Sequence, residues 1–337
     1  MASVVLTVNI LICDDSAFAR KQMARALPED WPVTVHFAEN GQQGVEAILC
    51  GHGDLVFLDL TMPVMDGYQV LQTLRDEHIR SKVIVVSGDI QPAARTQVLE
   101  MGAIDFIKKP CTSEQIADLL LRLGIYRPGL ITDQPDRGGV NLSVEVRDVY
   151  QELANVAMGQ AADLLARMLG GFVILPIPNV NVLEVGELHM ALNSATGTDT
   201  LSAVCQGFIG AGIAGEALLL FHDSSFQDLA RLMKFKGDLD RTAELELLMD
   251  LSNVLIGAFL RGFATQLDTP FSQAHPTVLG QHRPVEELVQ ANRHRWKRTL
   301  AIEINYKVRD HEVQCDLLLL FTEDSIRFMN NKIEHLL

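Results

Sequence analysis

Five polar residues stand where apolar runs end: Asp14 and Asp15 after Val8–Cys13, Asp59 after Val56–Leu58, Ser87 after Lys82–Val86, and Lys109 after Ile104–Ile107. In an open α/β sheet the ligand crevice lies at the carboxyl ends of the strands, so side chains delivered there face a site and not the core. Three carboxylates at one edge repel one another, and the usual remedy is a hard divalent cation with oxygen ligands, here Mg²⁺. The lysine supplies a charge, and the serine a hydrogen bond, suited to a phosphoryl oxygen. Asp59 ends a buried run that then breaks at Pro63 and Gly67, which makes it the group expected to be modified.

The elements that must position these residues follow from periodicity. Phe18, Met23, Ala26 and Leu27 recur at helical spacing up to Pro28. Val33, Val35 and Phe37 alternate as a strand, and Gly41–Leu49 reads as a helix. Further helices open at Met65-Asp66-Gly67, run from about Pro92 to Gly102, and close the segment to about Leu123 under a Ser113 cap. Five strands alternating with five helices predict an α/β, doubly wound, five-stranded parallel sheet over residues 1–125.

A length of 337 residues exceeds one ordinary core and predicts two domains, or a small domain with a larger one. The formal net charge of −15 argues against nucleic acid, and the densest basic run, Arg293–Arg298, reads as a solvated face. Five cysteines with no CxxC spacing indicate neither a disulfide framework nor a zinc site, and they read as buried thiols in a reducing compartment. No Lys or Arg precedes Arg20, so no signal peptide is expected. The longest apolar stretch, Gly207–Phe221, is Gly-rich, contains Glu216 and is too short to span a bilayer. The expectation is a soluble cytoplasmic protein without membrane insertion.

Periodicity is lost from Tyr126 to Ser143 among Pro128, Gly129, Pro135, Gly138 and Gly139, and a linker is assigned to 126–142. Residues 143–337 then repeat themselves. Glu152, Asn155 and Gly159 recur as Asp250, Asn253 and Gly257, an offset of 98. Pro178-Asn179-Val180 matches Pro276-Thr277-Val278 at the same offset, and Leu218–Phe221 matches Leu318–Phe321 at 100. Each copy, about 143–240 and 241–337, reads as long helix, strand, strand pair, helix. The expectation is an α+β domain made by tandem duplication with pseudo-twofold symmetry. Acid and amide three residues apart share a helix face. Asn costs a few tenths of a kcal/mol (about 0.5) against Ala in mid-helix, so two in matching places suggest a use. Both amides are expected on an outer face, away from the core.

Residues 5–125 resemble a response-regulator receiver domain of the CheY type, through Asp14-Asp15, the Leu58–Pro63 run with Asp66-Gly67, Ser87 and Lys109-Pro110. The resemblance implies that Asp59 is the phosphoacceptor and that Asp14 and Asp15 hold Mg²⁺ together with Asp59 and the Thr61 carbonyl. It further implies that Ser87 and Lys109 bind the phosphoryl group, that the Lys109-Pro110 bond is cis, and that Phe106 occupies the switch-aromatic position. The acid-x-x-Asn pairs on two helices are similar to those of the CheC/CheX/FliY phosphatases of phosphorylated CheY. That resemblance implies that Asn155 and Asn253 orient a water in line with an aspartyl phosphate while Glu152 pairs with a receiver lysine such as Lys109. Asp250 departs from it by one methylene, about 1.5 Å of reach, which ranks the first copy above the second.

Together the resemblances imply a two-component or chemotaxis signalling protein: a receiver phosphorylated on Asp59, joined to a domain that hydrolyses the aspartyl phosphate of its own or a separate receiver. The implied partners are a sensor histidine kinase, a CheY-like phospho-receiver, a CheD-like protein and a second copy of the chain in a homodimer. The alternative is a non-catalytic module that docks a phospho-receiver, a CheD-like partner or the flagellar switch.

Overall fold

The structure, a computed structural model, describes residues 8–128, 144–183, 200–283 and 299–334. Most of the expected linker and the whole Arg293–Arg298 run lie outside the described residues. Two compact units divide the chain, Met1–Glu152 and Leu153–Leu337.

In the first unit five strands, β1 (Val8–Cys13), β2 (Val33–Ala38), β3 (Leu55–Leu58), β4 (Lys82–Ser87) and β5 (Asp105–Lys108), form a parallel sheet in the order β2-β1-β3-β4-β5. Five helices connect and cover them: α1 (Ala17–Ala26), α2 (Gly41–Leu49), α3 (Gly67–Asp76), α4 (Pro92–Glu100) and α5 (Ser113–Arg122). Side chains alternate across a strand, so β1 sends Ile10 and Ile12 into one apolar cluster and Leu11 and Cys13 into the other. Burial on both faces is why β1, β3 and β4 read as apolar runs, while the edge strand β2 alternates.

Side-chain caps set the helix starts. Ser16 accepts from the Ala19 amide, Asn40 from Gln43, and Asp66 forms a capping box with Gln69. The expected Ser113 cap is corrected by one residue. Thr112 takes the role because its hydroxyl accepts from Gln115 N at 3.3 Å while Gln115 Oε1 accepts from Thr112 N at 3.1 Å. Helix α6 (Val146–Leu169) begins in this unit and continues past its boundary.

The second unit adds β6 (Val173–Ile174), β7 (Asn179–Leu183), β8 (Leu201–Gly210), β9 (Ile213–His222), a 3-10 turn at Asp223–Ser225 and α7 (Phe226–Leu232). It continues with α8 (Arg241–Gln266), β10 (Ser272–Gln273), β11 (Thr277–Arg283), β12 (Thr299–Val308), β13 (Gln314–Phe321) and α9 (Glu323–Glu334). The sheet is antiparallel in the order β10-β8-β9-β13-β12-β6, with β11 also on β8 and β7 on β12. At its centre Leu218 of β9 faces Leu318 of β13. Outward from there Thr277 faces Cys205 and Asn179 faces Glu303, each residue 98 from its counterpart. The Gly-rich stretch 207–221 is the β8–β9 hairpin, turned by Ala211 and Gly212 at φ of 43° and 86°.

Helix α8 is long and apolar enough to cross a membrane, and 72% of its most apolar window is buried inside the unit, which makes it a core helix. Gly262 lets it approach α6 closely: a Cβ there would stand 2.7 Å from Gln160 Oε1 and 3.0 Å from Ala157 Cα. Gln266 Nε2 adds a hydrogen bond to Leu153 O at 2.9 Å. All five cysteines are free thiols. Cys13, Cys205 and Cys315 are buried as expected and Cys111 half so, but Cys50 is exposed because it caps the outer end of α2.

Candidate functional site

Local bonding fixes the acidic edge of the first sheet. Past the end of β1, Asp14 N donates to Ala38 O at 3.1 Å and Ser16 N donates to Asp14 Oδ1 at 3.0 Å. Buried Arg20 clasps the same turn from α1, donating through Nη1 to Asp14 O at 2.7 Å and Asp15 O at 3.2 Å, and through Nη2 to Glu39 at 3.1 Å. Past β3, Asp59 N donates to Cys13 O at 2.9 Å and Thr61 N to Asp59 Oδ2 at 2.8 Å. Gly67 is required where the chain folds back, since any Cβ would collide with the Asp59 backbone oxygen. Ser87 Oγ accepts from Asp89 N at 3.1 Å, and Lys109 N donates to Ser87 O at 2.9 Å. The Lys109-Pro110 bond is cis. Phe106 is half-buried against the α2–α4 cluster.

At the centre stands Lys109. Its ammonium lies 2.7 Å from Asp14 Oδ2, 3.1 Å from Asp59 Oδ1 and 3.1 Å from Glu152 Oε1. Glu152 comes from the opening turns of α6 and is the last residue of the first unit. All four groups are buried, Asp59 to 1% exposure. Neither Asp59 Oδ1 nor Lys109 Nζ meets the alignment of a hydrogen bond, so these contacts are close ion pairs.

The electrostatics follow from one cation among several acids. Burial works against the charge on Lys109, but Asp14, Asp59 and Glu152 outweigh it and hold the lysine pKa well above its usual value. Burial raises the Asp59 and Glu152 carboxyls, and Asp14 adds to the rise; Lys109 offsets only part of it. Asp15 is pushed up to about 8 by burial, then by Asp14 and Asp59. Burial also pushes the Cys13 thiol far up, which makes it inert.

Asp14, Asp15, Asp59, Ser87, Thr61 and Lys109 therefore gather at one sheet edge, and Glu152 joins them. Among the described residues no three His, Cys, Asp or Glu side chains are disposed to hold a metal ion together. Here the Lys109 ammonium draws Asp14 and Asp59 to itself. The donor set still fits a hard cation: it is all oxygen, it carries the repulsion that lifts Asp15, and Asp59 Oδ1 lacks a hydrogen-bond partner.

The expectation that Asn155 and Asn253 both lie on an outer face is corrected for the first. Asn155 is buried at 6% exposure, because α6 has no open side there: Leu153, Ala154, Val156, Ala157 and Met158 are buried as well. Asp250 and Asn253 are exposed on α8 between buried Leu251, Ser252 and Leu255.

Two contributors escaped sequence reasoning. Arg20 reads as a solvated residue of an amphipathic helix, with nothing in its spacing to mark it. Asp148, near the start of α6, accepts from Phe18 N at 2.7 Å. The first amides of α1 are orphan donors that need acceptors, which is the sequence-level hint for it.

The family described as response regulator receiver domain matches residues 10–121. The chemotaxis protein CheY of Bacillus subtilis is 34% identical over 112 residues, which are 33% of this chain and 93% of that protein. A protein-glutamate methylesterase/protein-glutamine glutaminase of Geobacter sulfurreducens is 32% identical over 158 residues, 45% of this chain. The chain spans 40% of that relative's length. Among solved structures, Thermotoga maritima FliY covers 58% of this chain and 100% of its own, at 15% identity and a TM-score of 0.42.

Proposed function

Because the chain belongs, through residues 10–121, to the response regulator receiver family, we propose that it is a signalling protein phosphorylated on Asp59 whose C-terminal unit hydrolyses aspartyl phosphate. A receiver domain gives it a place in two-component or chemotaxis signalling. The observation that carries the finer reading is the Glu152 carboxylate on Lys109, an acid from beyond the five-stranded fold held 3.1 Å from the lysine that would bind the phosphoryl group. The matched element order and the paired registers of β7 with β12 and β11 with β8 support a duplication over 143–337 that carries two acid–amide pairs.

In phosphorylation, Asp59 Oδ1 attacks the phosphorus of a histidine kinase's phosphohistidine. The new P–O bond forms as the donor's P–N bond breaks. Lys109 balances charge on the phosphoryl oxygens and the Ser87 hydroxyl donates to one of them. A divalent ion held by Asp14, Asp15, Asp59 and the Thr61 carbonyl, Mg²⁺ by its oxygen ligands, would neutralise charge on the carboxylates and the incoming group. In hydrolysis, an Asn amide accepts a hydrogen bond from a water and holds it in line. The water oxygen attacks phosphorus, the bond to Asp59 breaks, Asp59 leaves as carboxylate, and the proton departs with inorganic phosphate.

The phospho-receiver is the chain's own or a separate CheY-like protein, and a CheD-like protein or a second copy of the chain is a further partner. The chemistry is that of the cytoplasm. A methylesterase reading gains nothing from Ser202, whose hydroxyl donates to Asp223 at 2.7 Å, while His282 Nδ1 holds the same acid at 3.0 Å. A serine nucleophile needs the imidazole as its direct partner. The burial of Asn155 favours one second reading, a non-catalytic module that docks a phospho-receiver, a CheD-like protein or the flagellar switch. The deciding measurement is the decay of phosphorylated Asp59 after donor removal in the full chain and in the Asn155→Ala/Asn253→Ala double variant. Slower decay in the variant supports hydrolysis; equal decay leaves the docking module.

A further inference from the structure

We propose that the opening turns of α6, residues 146–152, are a lid built into the first unit that must lift before Asp59 can be phosphorylated. The inference rests on Asp59 as phosphoacceptor and concerns phosphoryl uptake, where the hydrolysis reading concerns loss. Three observations carry it. The acceptor carboxylate is 1% exposed, so a donor the size of acetyl phosphate cannot reach it in this arrangement. Glu152 takes a place on the Lys109 ammonium, 3.1 Å away, that an incoming phosphoryl oxygen needs. Four residues earlier, one helical turn, Asp148 Oδ2 accepts from Phe18 N at 2.7 Å and pins the same helix face to the start of α1.

The two acids do different work. Lys109 has three protons to give, and three carboxylates stand around it: Asp14, Asp59 and Glu152. Asp14 and Asp59 belong to the sheet edge, so Glu152 is the member that can withdraw without disturbing a strand. Asp148 touches neither Lys109 nor Asp59 in any bond of the site, and acts as a positioning residue. Its acceptance of an orphan α1 amide keeps Glu152 in reach. Lifting the turn frees the ammonium and opens a path to Asp59 Oδ1. That oxygen then attacks the phosphorus of acetyl phosphate, the P–O bond to acetate breaks, and acetate leaves. Closure after the phosphoryl group has been lost returns Glu152 to Lys109 and shuts the site again. The contact thus lowers phosphorylation by slowing uptake.

The test measures the initial rate of Asp59 phosphorylation by acetyl phosphate with Mg²⁺, in the full chain and in its Glu152→Gln and Asp148→Ala variants. Both should take up phosphate at least about tenfold faster, the rate equivalent of one favourable contact no longer broken on the way to the transition state. Asp148→Ala should also speed hydrogen exchange at the Phe18 amide, a change that altered charge at Lys109 alone would not produce. A wild-type initial rate in either variant overturns the lid. Decay after donor removal is followed in these samples and in an Asn155→Ala/Asn253→Ala protein, and reads the phosphatase reading separately: wild-type uptake in the lid variants with slower decay in the double variant sinks the lid only, and faster uptake in the lid variants with unaltered decay in the double variant sinks hydrolysis only.

Discussion

Glu152 with Asn155 and Asp250 with Asn253 share an acid-x-x-Asn spacing on two long helices, yet their surroundings are opposite. The first pair is buried, its acid on the Lys109 ammonium; the second is exposed on α8. A motif repeated at an offset of 98 residues records shared chemistry in the side chains. It does not record shared access, which is decided by what else each helix buries. The pair ranked first by reach is thus the one closed to solvent, and the pair ranked second is open to another molecule.

The strongest way to break this comparison is to remove the group both pairs would serve. Asp59→Asn should abolish labelling by acetyl phosphate in the presence of Mg²⁺, since the amide is no nucleophile. Label persisting in that variant would relocate the phosphoacceptor. Next in size is Lys109→Met. It leaves Asp14, Asp59 and Glu152 without their cation in a buried place, and should lower unfolding stability by about 3–5 kcal/mol near neutral pH. Asp250→Ala, on the exposed pair, should stay within about 0.5 kcal/mol of wild type. Chemical denaturation of both variants measures the contrast, and comparable losses would mean that the Lys109 ion pairs carry no more of the fold than exposed Asp250 does.

Access itself is probed by decay. With phosphate on the chain's own Asp59, Asn155→Ala should slow its loss by about 100-fold at most, the scale of a misplaced reacting group, and Asn253→Ala should do little. With a separate phospho-receiver added, the order should reverse, because Asn253 is the exposed amide. Decay rates of the two variants against both substrates decide it, and the same ranking in both would show that burial does not sort the sites.

Much of this was legible in the sequence, for identifiable reasons. The first unit's strands are buried on both faces, so Val8–Cys13 and Lys82–Ser87 announce themselves as apolar runs, and the polar residues that end them mark the edge. In the second unit the similar runs Leu218–Phe221 and Leu318–Phe321 come to lie in adjacent antiparallel strands. Burial of Asn155 was not legible, because an Asn among Leu, Ala and Met on a helix gives no sign of which turn is covered. Arg20 and Asp148 were missed because the bonds that tie them to the site go to backbone atoms, Asp14 O and Asp15 O for one and Phe18 N for the other. Backbone partners leave no residue type to read.

The smallest expected effect concerns pH, and its sign separates a crowded acidic edge from an ordinary surface. Asp15 is raised from its usual value to about 8, first by burial and then by Asp14 and Asp59, and the Asp59 and Glu152 carboxyls are raised in the same direction. Between the unfolded value near 4 and the folded value, the folded chain binds more protons than the unfolded one, so these groups stabilise at low pH and the contribution is lost as pH rises through the folded value. Lys109, also raised, keeps its charge throughout that window and does not alter the sign. Unfolding stability without divalent ion should therefore fall from about pH 5 to about pH 8.5, where paired surface carboxylates, already ionised in both states, would leave it flat. Added Mg²⁺ takes the deprotonated carboxylates, so its stabilising effect should grow over the same range and flatten the slope. Denaturation midpoints at several pH values, with Mg²⁺ and with chelator, give both quantities. Stability that does not fall with pH in chelator would show that the acids are relieved of one another in solution, and a Mg²⁺ effect independent of pH would remove the carboxylates from its binding.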